Sequence, residues 1–289
     1  MDKFETSAGL KYTSCKICSS EISHYLTEFR LVKCKSCGLC FFEELQGVES
    51  SKSLYRDLYN KDIGYRQHRL QEQKIKQGSQ PGLGHNKKVI LKEIITEKKK
   101  YSIAEIGAGV GVVAKKLLVA GHNYIGFELN EEIASNAAQK GLPIKSSGYQ
   151  GLGEFNEQFD AVIAFEVLEH IDNLNECLRM IIKSLKPNGL LGFTVPNSDK
   201  FKNYEKEQSK LYQSPPPVHV NFFNMQSLHK LLLYYGLTPI LIKVRPFPYM
   251  NLTDLNMYKF LMKALVGKYN GPNIMCVAQK QSNLAHNRS

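Results

Sequence analysis

The chain has 289 residues, 43% of them hydrophobic, and a formal net charge of +11. This length suits one large or two modest domains and is sufficient to bury a full core. No run of 18 apolar residues predicts a membrane helix, and residues 1–7 lack the apolar centre of a signal peptide. We therefore expect a cytoplasmic protein without a membrane span.

Basic residues recur between residues 66 and 100, which would suit an anionic partner. The same stretch carries Glu72, Glu93 and Glu97, and it lacks the interleaved aromatic residues on which bases stack. We read it as a solvated basic face, useful for a phosphate-bearing substrate, ahead of a nucleic-acid site.

The first chemical motif is formed by two Cys-x-x-Cys pairs, Cys15, Cys18, Cys34 and Cys37. Their spacing predicts a zinc site with four thiolate ligands, because each short turn presents two sulfurs to one tetrahedral ion. Disulfides are disfavoured because no secretory signal is present. Cys40 is a fifth cysteine in this region, and whether it or Cys37 supplies the fourth zinc ligand stays open. Cys177 and Cys276 lie in apolar patterns and are expected in the core.

Composition divides the chain into four parts. We predict a zinc-binding module over 1–45, a linker or helical segment over 46–84, and a larger domain over 85–280. Breaker residues over 77–84 mark the boundary before the larger domain, and 281–289 should fray.

Residues 101–121 predict a strand, a tight turn and a helix. An apolar run ends at Glu105 and Ile106, glycines follow at Gly107, Gly109 and Gly111, and a helix-period pattern comes next. Alternate glycines allow positive φ and close approach of a ligand, and the following helix offers free N–H groups. A nucleotide-like ligand is therefore expected.

The glycine spacing argues against NAD, because the third glycine comes one residue earlier than in the dinucleotide fingerprint. A second predicted strand ends at Glu128, at the distance where an acid contacts ribose hydroxyls. Ligands bind at the carboxyl ends of parallel strands, so Glu128 should converge with Phe165 and Glu166, which end the apolar strand 159–165. His170 follows that strand, and a loop-holding role and a catalytic role remain open.

In this order, Glu105, the glycine turn, Glu128 and the segment 159–170 resemble the class I S-adenosylmethionine (SAM) methyltransferases. The resemblance covers roughly residues 86–280. It implies an α/β, Rossmann-like, seven-stranded sheet with helices on both faces, and SAM as cofactor. In place of the family's usual acid after strand three, the sequence offers the Ser147 region for adenine. The implied cofactor residues are Glu105, Gly107, Ala108, Gly109, Gly111, Glu128, Leu129, Ser147, Phe165 and Glu166.

The zinc motif, a tyrosine-bearing linker and this core together resemble methyltransferases acting on sugars, including nucleotide-sugar C-methyltransferases. A loop over 198–224 is expected at the acceptor site, and a helical insert over 246–272. In the C-methylating relatives a Glu precedes the loop histidine, whereas Val218 precedes His219 here, which argues against C-methylation of a ketosugar. The candidate catalytic residues are His219, His170, Glu169 and Tyr65, with packing on the core as the alternative for Tyr65.

We therefore expect O-methylation of a sugar, a nucleotide-sugar or a related small metabolite, with His219 or His170 taking the hydroxyl proton. The zinc ion should be structural, because four cysteine ligands leave no open coordination position. Two alternatives stay open: C-methylation of a keto-nucleotide-sugar, and an RNA-binding or RNA-modifying zinc-ribbon protein. The sequence does not predict the oligomeric state.

Overall fold

A computed structural model describes residues 10–45, 70, 73, 82–199, 216–245, 255–267 and 270–282. Tyr65 lies outside these residues, as do most of the linker and parts of the acceptor loop and the insert. The strands are β1 (Ile22–His24), β2 (Leu31–Cys34), β3 (Cys40–Phe42), β4 (Ser102–Ile106), β5 (Asn123–Glu128), β6 (Ile144–Ser146), β7 (Phe159–Phe165), β8 (Leu185–Pro196), β9 (Asn221–Phe222), β10 (Leu237–Val244) and β11 (Asn273–Lys280).

The described helices are α1 (His85–Ile94), α2 (Val112–Val119), α3 (Glu131–Ala138), α4 (Leu174–Ser184), α5 (Met225–Tyr234) and α6 (Leu255–Leu265). Short 3-10 turns lie at Thr27–Phe29, Tyr149–Glu154 and Leu168–His170. None of the described helices is long and apolar enough to cross a lipid bilayer.

Seven strands form the central sheet in the order β10-β11-β8-β7-β4-β5-β6. The neighbours from β8 to β6 are parallel, and β11 pairs antiparallel with both β8 and β10. The predicted seven-stranded α/β sheet is confirmed. Its carboxyl edge brings the ends of β4, β5, β7 and β8 together, which is where ligands bind in such sheets.

Helices cover both faces of this sheet, as the continuous apolar run of β7 requires. On one face, Ile90 of α1, Val113 of α2 and Ala137 of α3 belong to one buried cluster with Ile103 and Ile163 of the sheet. On the other face, α4 and α5 pack through an equally buried set that includes Leu174, Leu178, Ile181, Leu228 and Leu231.

A second sheet has the order β1-β2-β3-β9, and its last strand comes from the acceptor loop. Cys40 pairs with Phe222 and Phe41 with Asn221. Phe41 also belongs to the same buried cluster as Leu174 and the α5 residues. The cysteine-bearing segment and the larger domain therefore share one sheet and one core.

The predicted boundaries around α4 were wrong. The apolar pattern and the Pro187-Asn188-Gly189 stop predict a helix over 176–186 and a strand over 190–195, but α4 ends at Ser184 and β8 begins at Leu185. The Pro187-Asn188-Gly189 stretch is instead an irregularity within β8, where pairing with β7 shifts from Leu185 to Leu190. Gly189 is required there, because a Cβ would lie 2.9 Å from the Lys186 carbonyl oxygen.

Candidate cofactor and acceptor site

The three glycines after β4 have different reasons to be glycine. All have positive φ, at +71°, +53° and +81° for Gly107, Gly109 and Gly111. A Cβ on Gly107 would lie 2.5 Å from Val167 Cγ2, and one on Gly111 would lie 2.3 Å from Leu142 Cδ1. A Cβ on Gly109 would meet nothing within 4 Å. Two glycines therefore serve packing, and Gly109 faces open space that a ligand can enter.

Glu128, at the end of β5, lies directly beside Gly109. Its carboxylate accepts hydrogen bonds from the Gly109 N–H and the Asn130 N–H, both at 2.9 Å. Burial raises the pKa of this carboxyl, and the backbone donors oppose that shift. An acceptor group is thus fixed next to the open glycine, at the carboxyl edge of the sheet where ligands bind in such folds.

The remaining predicted residues of this region are close by. The Ser147 N–H donates to the Glu128 carbonyl oxygen at 3.0 Å, which ties the end of β6 to the end of β5. Leu129 lies near Gly148, with its Cδ1 atom 3.5 Å from the position of a Cβ there. The N–H of Ala108 donates to the Phe127 carbonyl oxygen at 3.1 Å, so this amide is used within the fold.

Glu105 lies beneath the turn, with a side chain that is only 1% exposed. Tyr124 donates its hydroxyl to the carboxylate at 2.6 Å. Burial raises the pKa of Glu105 to about 7, while the positive charge of Lys87 lowers it. Lys87 lies over the Phe165 ring, with Nζ 4.9 Å from the ring centroid.

Lys87 was not among the residues predicted from the sequence. The signal was available, because Lys87 precedes the buried residues Ile90 and Leu91 by three and four positions and so shares their side of α1. A lysine on that side of a helix reaches toward the sheet rather than toward solvent.

Glu166 follows β7 with a φ of +58°, in a region that non-glycine residues seldom adopt. Its N–H donates to the Thr194 carbonyl oxygen at 3.0 Å, and Asn273 donates to its exposed carboxylate at 2.6 Å. The end of β7 is therefore held to β8 and β11 beside buried Phe165. Asn273 was not predicted, since only tertiary structure brings the last strand here.

Three side chains converge just beyond β7 and form what we term the Glu169–His170–His219 cluster. Their ligand atoms all lie within 4.8 Å of one another. His170 Nε2 is 4.0 Å from Glu169 Oε1, and the two imidazole rings meet edge to face with centroids 4.7 Å apart. Glu169 is 1% exposed, whereas both histidines are partly exposed. The predicted catalytic residues other than Tyr65 are thus adjacent.

The cluster exists because the acceptor loop is hydrogen-bonded to the turn after β7. Asn221 is buried and donates to the carbonyl oxygens of Leu168 and Ile171 at 2.8 and 2.7 Å. The Val220 N–H donates to the Glu169 carbonyl oxygen at 2.8 Å. His170 Nδ1 lies 2.8 Å from the Val218 carbonyl oxygen. Asn221 was missed because a single asparagine in a loop carries no periodic signal.

The four predicted zinc ligands also converge. Cys15 Sγ lies 3.7 Å from Cys37 Sγ, Cys18 Sγ lies 3.5 Å from Cys34 Sγ, and all four sulfurs lie within 4.8 Å of one another. Zinc–sulfur bonds of about 2.3 Å in a tetrahedron require sulfurs about 3.8 Å apart, so the four thiols fit the ion.

Cys40 does not compete with Cys37, because it faces a separate apolar cluster with Val220 and Phe222. Burial raises the pKa of this thiol to about 12. Cys177 and Cys276 are fully buried in the core, as expected.

Residues 65–242, more than half of the chain, match the family described as methyltransferase domain. A ubiquinone biosynthesis O-methyltransferase from Rickettsia akari is 31% identical over 134 residues, 41% of this chain and 53% of that protein. A protein of the same name from Rickettsia prowazekii is 32% identical over 107 residues, 35% of this chain and 42% of that protein. The chain thus spans about half the length of these relatives.

Solved structures extend the likeness in fold. A SAM-dependent methyltransferase from Archaeoglobus fulgidus matches with a TM-score of 0.52 and 18% identity, covering 68% of this chain and 95% of that one. Magnesium protoporphyrin IX methyltransferase from Synechocystis, with bound S-adenosylhomocysteine, matches with a TM-score of 0.52 and 13% identity. The match covers 80% of this chain and 100% of that one.

Proposed function

This chain belongs to the family of class I SAM-dependent methyltransferase domains, and we propose that it transfers the methyl group of SAM to an oxygen of a small metabolite. The observation that carries the proposal is a pairing of two features at one sheet edge. The open Gly109 lies beside Glu128, and the Glu169–His170–His219 cluster follows the neighbouring strand.

SAM supplies a methyl group that is electrophilic because it is bound to a sulfonium. We assign its ribose to Glu128 and its close backbone contact to Gly109, with Gly107 and Gly111 shaping the turn. Leu129 and Ser147 lie where they would border the base, and Phe165 and Glu166 border the amino-acid end. Lys87, over Phe165, is a further basic group on that side.

The enzyme must align the acceptor oxygen with the methyl carbon and remove its proton as the bond forms. We assign proton removal to the Glu169–His170–His219 cluster, in which the acceptor loop carries His219. Such assistance typically contributes about 10² to 10⁴ in rate. A hydroxyl acceptor also agrees with the word O-methyltransferase in the names of the curated relatives.

For the acceptor class we propose a sugar, a nucleotide-sugar or a related hydroxylated metabolite. The net charge of +11 favours a phosphate-bearing compound. The relatives' name points instead to an O-methylated compound of ubiquinone biosynthesis. Tyr65 stays a candidate acceptor contact, and the cytoplasmic location stays a prediction.

We also propose that Cys15, Cys18, Cys34 and Cys37 bind one structural Zn²⁺. The sulfur separations support this, and a closed four-thiolate shell leaves the ion no role in catalysis. Its effect would be to hold β1, β2 and β3, and through β3 the acceptor-loop strand β9.

Transfer of labelled methyl from SAM tests the proposal, using a panel of nucleotide-sugars, free sugars and phenolic hydroxyl compounds. We expect an O-methylated product from one class. Exchange of a carbon-bound hydrogen of the substrate with solvent before transfer would instead indicate C-methylation. Retention on RNA with a steep salt dependence, and no small-molecule product, would favour the RNA-binding alternative.

A further inference from the structure

We propose that the Glu169–His170–His219 cluster binds a divalent transition-metal ion, distinct from the zinc of the four cysteines. The inference rests on the proposed function, since it states how the cluster removes the acceptor's proton. Two imidazoles and one carboxylate are a ligand set that suits Zn²⁺, Fe²⁺ and related ions.

The first observation is the convergence of the three ligand atoms within 4.8 Å. In a tetrahedral site with bonds of about 2.0 to 2.1 Å, such atoms lie about 3.4 Å apart. The separation of 4.0 Å between His170 Nε2 and Glu169 Oε1 thus needs only a small contraction.

The second observation is the hydrogen bond of His170. Its Nδ1 lies 2.8 Å from the Val218 carbonyl oxygen, which can only accept, so Nδ1 carries the hydrogen and donates. In the neutral ring Nε2 then holds a lone pair, and that atom is the one nearest to the Glu169 carboxylate. Metal-binding histidines commonly donate their second N–H to a backbone carbonyl in this way, which fixes the ring's orientation.

The third observation is the rigidity of the support. Glu169 is 1% exposed, and backbone hydrogen bonds from Val220 and side-chain bonds from Asn221 hold its turn against the loop of His219. A buried carboxylate facing two imidazoles is stabilised by a cation between them.

Three protein ligands leave at least one coordination position for the acceptor. A hydroxyl oxygen bound there loses its proton more readily, and the proton leaves to solvent. The new oxygen–carbon bond forms as the carbon–sulfur bond breaks. The electron pair of the broken carbon–sulfur bond stays on sulfur. The products are the methyl ether, S-adenosylhomocysteine and one proton. His219 then acts as a metal ligand within the cluster.

Metal content tests the inference directly. The full chain is equilibrated with Zn²⁺, freed of excess ion and measured, and a parallel sample carries Co²⁺. We expect two ions per chain, one with the intense thiolate charge-transfer absorption of the cysteine site and one with only the weaker bands of nitrogen and oxygen ligands. One ion per chain with a purely thiolate spectrum would overturn the inference.

Two variants provide the site assignment. Glu169→Gln and His219→Ala should each lose the second ion while keeping the thiolate absorption and the heat of SAM binding, which report an intact fold. His229→Ala, which changes an exposed histidine on α5, should keep both ions. Two ions retained in both cluster variants would contradict the assignment.

Methyl transfer separates this inference from the proposed function. Transfer that persists at full rate with one ion per chain would refute the second metal site and leave the proposed function standing. Absence of SAM binding in the wild-type chain would refute the proposed function itself.

Discussion

The cofactor side and the acceptor side of the proposed site are built differently. The cofactor side takes Glu105, the glycine turn and Glu128 from one continuous stretch of 24 residues, 105–128. The acceptor side joins the turn at Leu168–His170, the loop strand β9 and the cysteine-bearing sheet. The first is local in sequence and the second is assembled by tertiary structure, so damage to the cysteine module should disable one side and spare the other.

The largest expected effect is that of Cys34→Ser. Structural zinc contributes about 10 to 16 kcal/mol of apparent binding free energy in small modules, so this variant should lose its zinc and unfold β1 to β3. Methyl transfer should be abolished, while SAM still binds because the glycine turn and Glu128 follow strands of the seven-stranded sheet, to which β1, β2 and β3 do not belong. Metal analysis and SAM calorimetry check this.

Cys40→Ala is the matched control, because Cys40 lies in the same sheet but outside the sulfur cluster. It should keep zinc. A Cys34→Ser protein that retains full zinc and fold would refute the zinc assignment, and one that loses SAM binding equally would refute the independence of the two sides.

The next effect concerns stability rather than binding. The folded-state pKa of Glu105 is about 7, above its ordinary value of 4.5, because burial disfavours the charge. The contribution of neutral Glu105 to the unfolding free energy is fully present below pH 4.5. It is lost as the pH rises through 7 and the carboxyl ionises. Glu105→Gln, which stays neutral and can still accept from Tyr124, should remove this decline and raise the unfolding free energy at pH 8 by up to about 3 kcal/mol.

Denaturant unfolding between pH 5 and 8 measures this difference. Glu93→Gln, a change at an exposed position of α1, should leave the pH dependence as it is in the wild type. An identical decline in Glu105→Gln and wild type would show that Glu105 is ionised in the folded protein throughout.

Glu128→Ala should weaken SAM by about one to two orders of magnitude, because charge-assisted hydrogen bonds contribute roughly 1.5 to 3 kcal/mol. Zinc content should not change. Calorimetry with SAM and S-adenosylhomocysteine is the measurement, with the exposed Glu132→Ala as control. NAD should produce no heat, and unchanged SAM affinity in the variant would exclude the ribose role.

His219→Gln should keep SAM affinity and thermal stability while slowing methyl transfer by at least about tenfold. The acid limb of the pH–rate profile should change, because the variant removes one of the two imidazoles whose protonation blocks proton transfer and metal binding. His229→Gln serves as the control. Normal turnover in His219→Gln would move the role to His170 or to a substrate that needs no base.

Prediction from sequence succeeded for features that are local in the chain and failed for most of those assembled by tertiary structure. The seven-stranded sheet, Glu128 beside the glycine turn and the four converging cysteines were readable because each signal lies in a short segment with fixed spacing. The pairing of β3 with β9, in which Phe41 lies opposite Asn221, could not be predicted. Pairing between residues 180 positions apart leaves no local pattern in the sequence. Asn273 was missed for the same reason, whereas Lys87 did have a local signal in its position on the buried side of α1.

Amide hydrogen exchange of wild-type and Cys34→Ser protein is the most direct measurement, because it reports both sides in one sample. Exchange should accelerate in 31–42 and also in 218–223, since β9 loses its partner β3, while 102–128 stays protected as in the wild type. Faster exchange confined to 31–42, with 218–223 unchanged, would contradict an acceptor side built on the cysteine module.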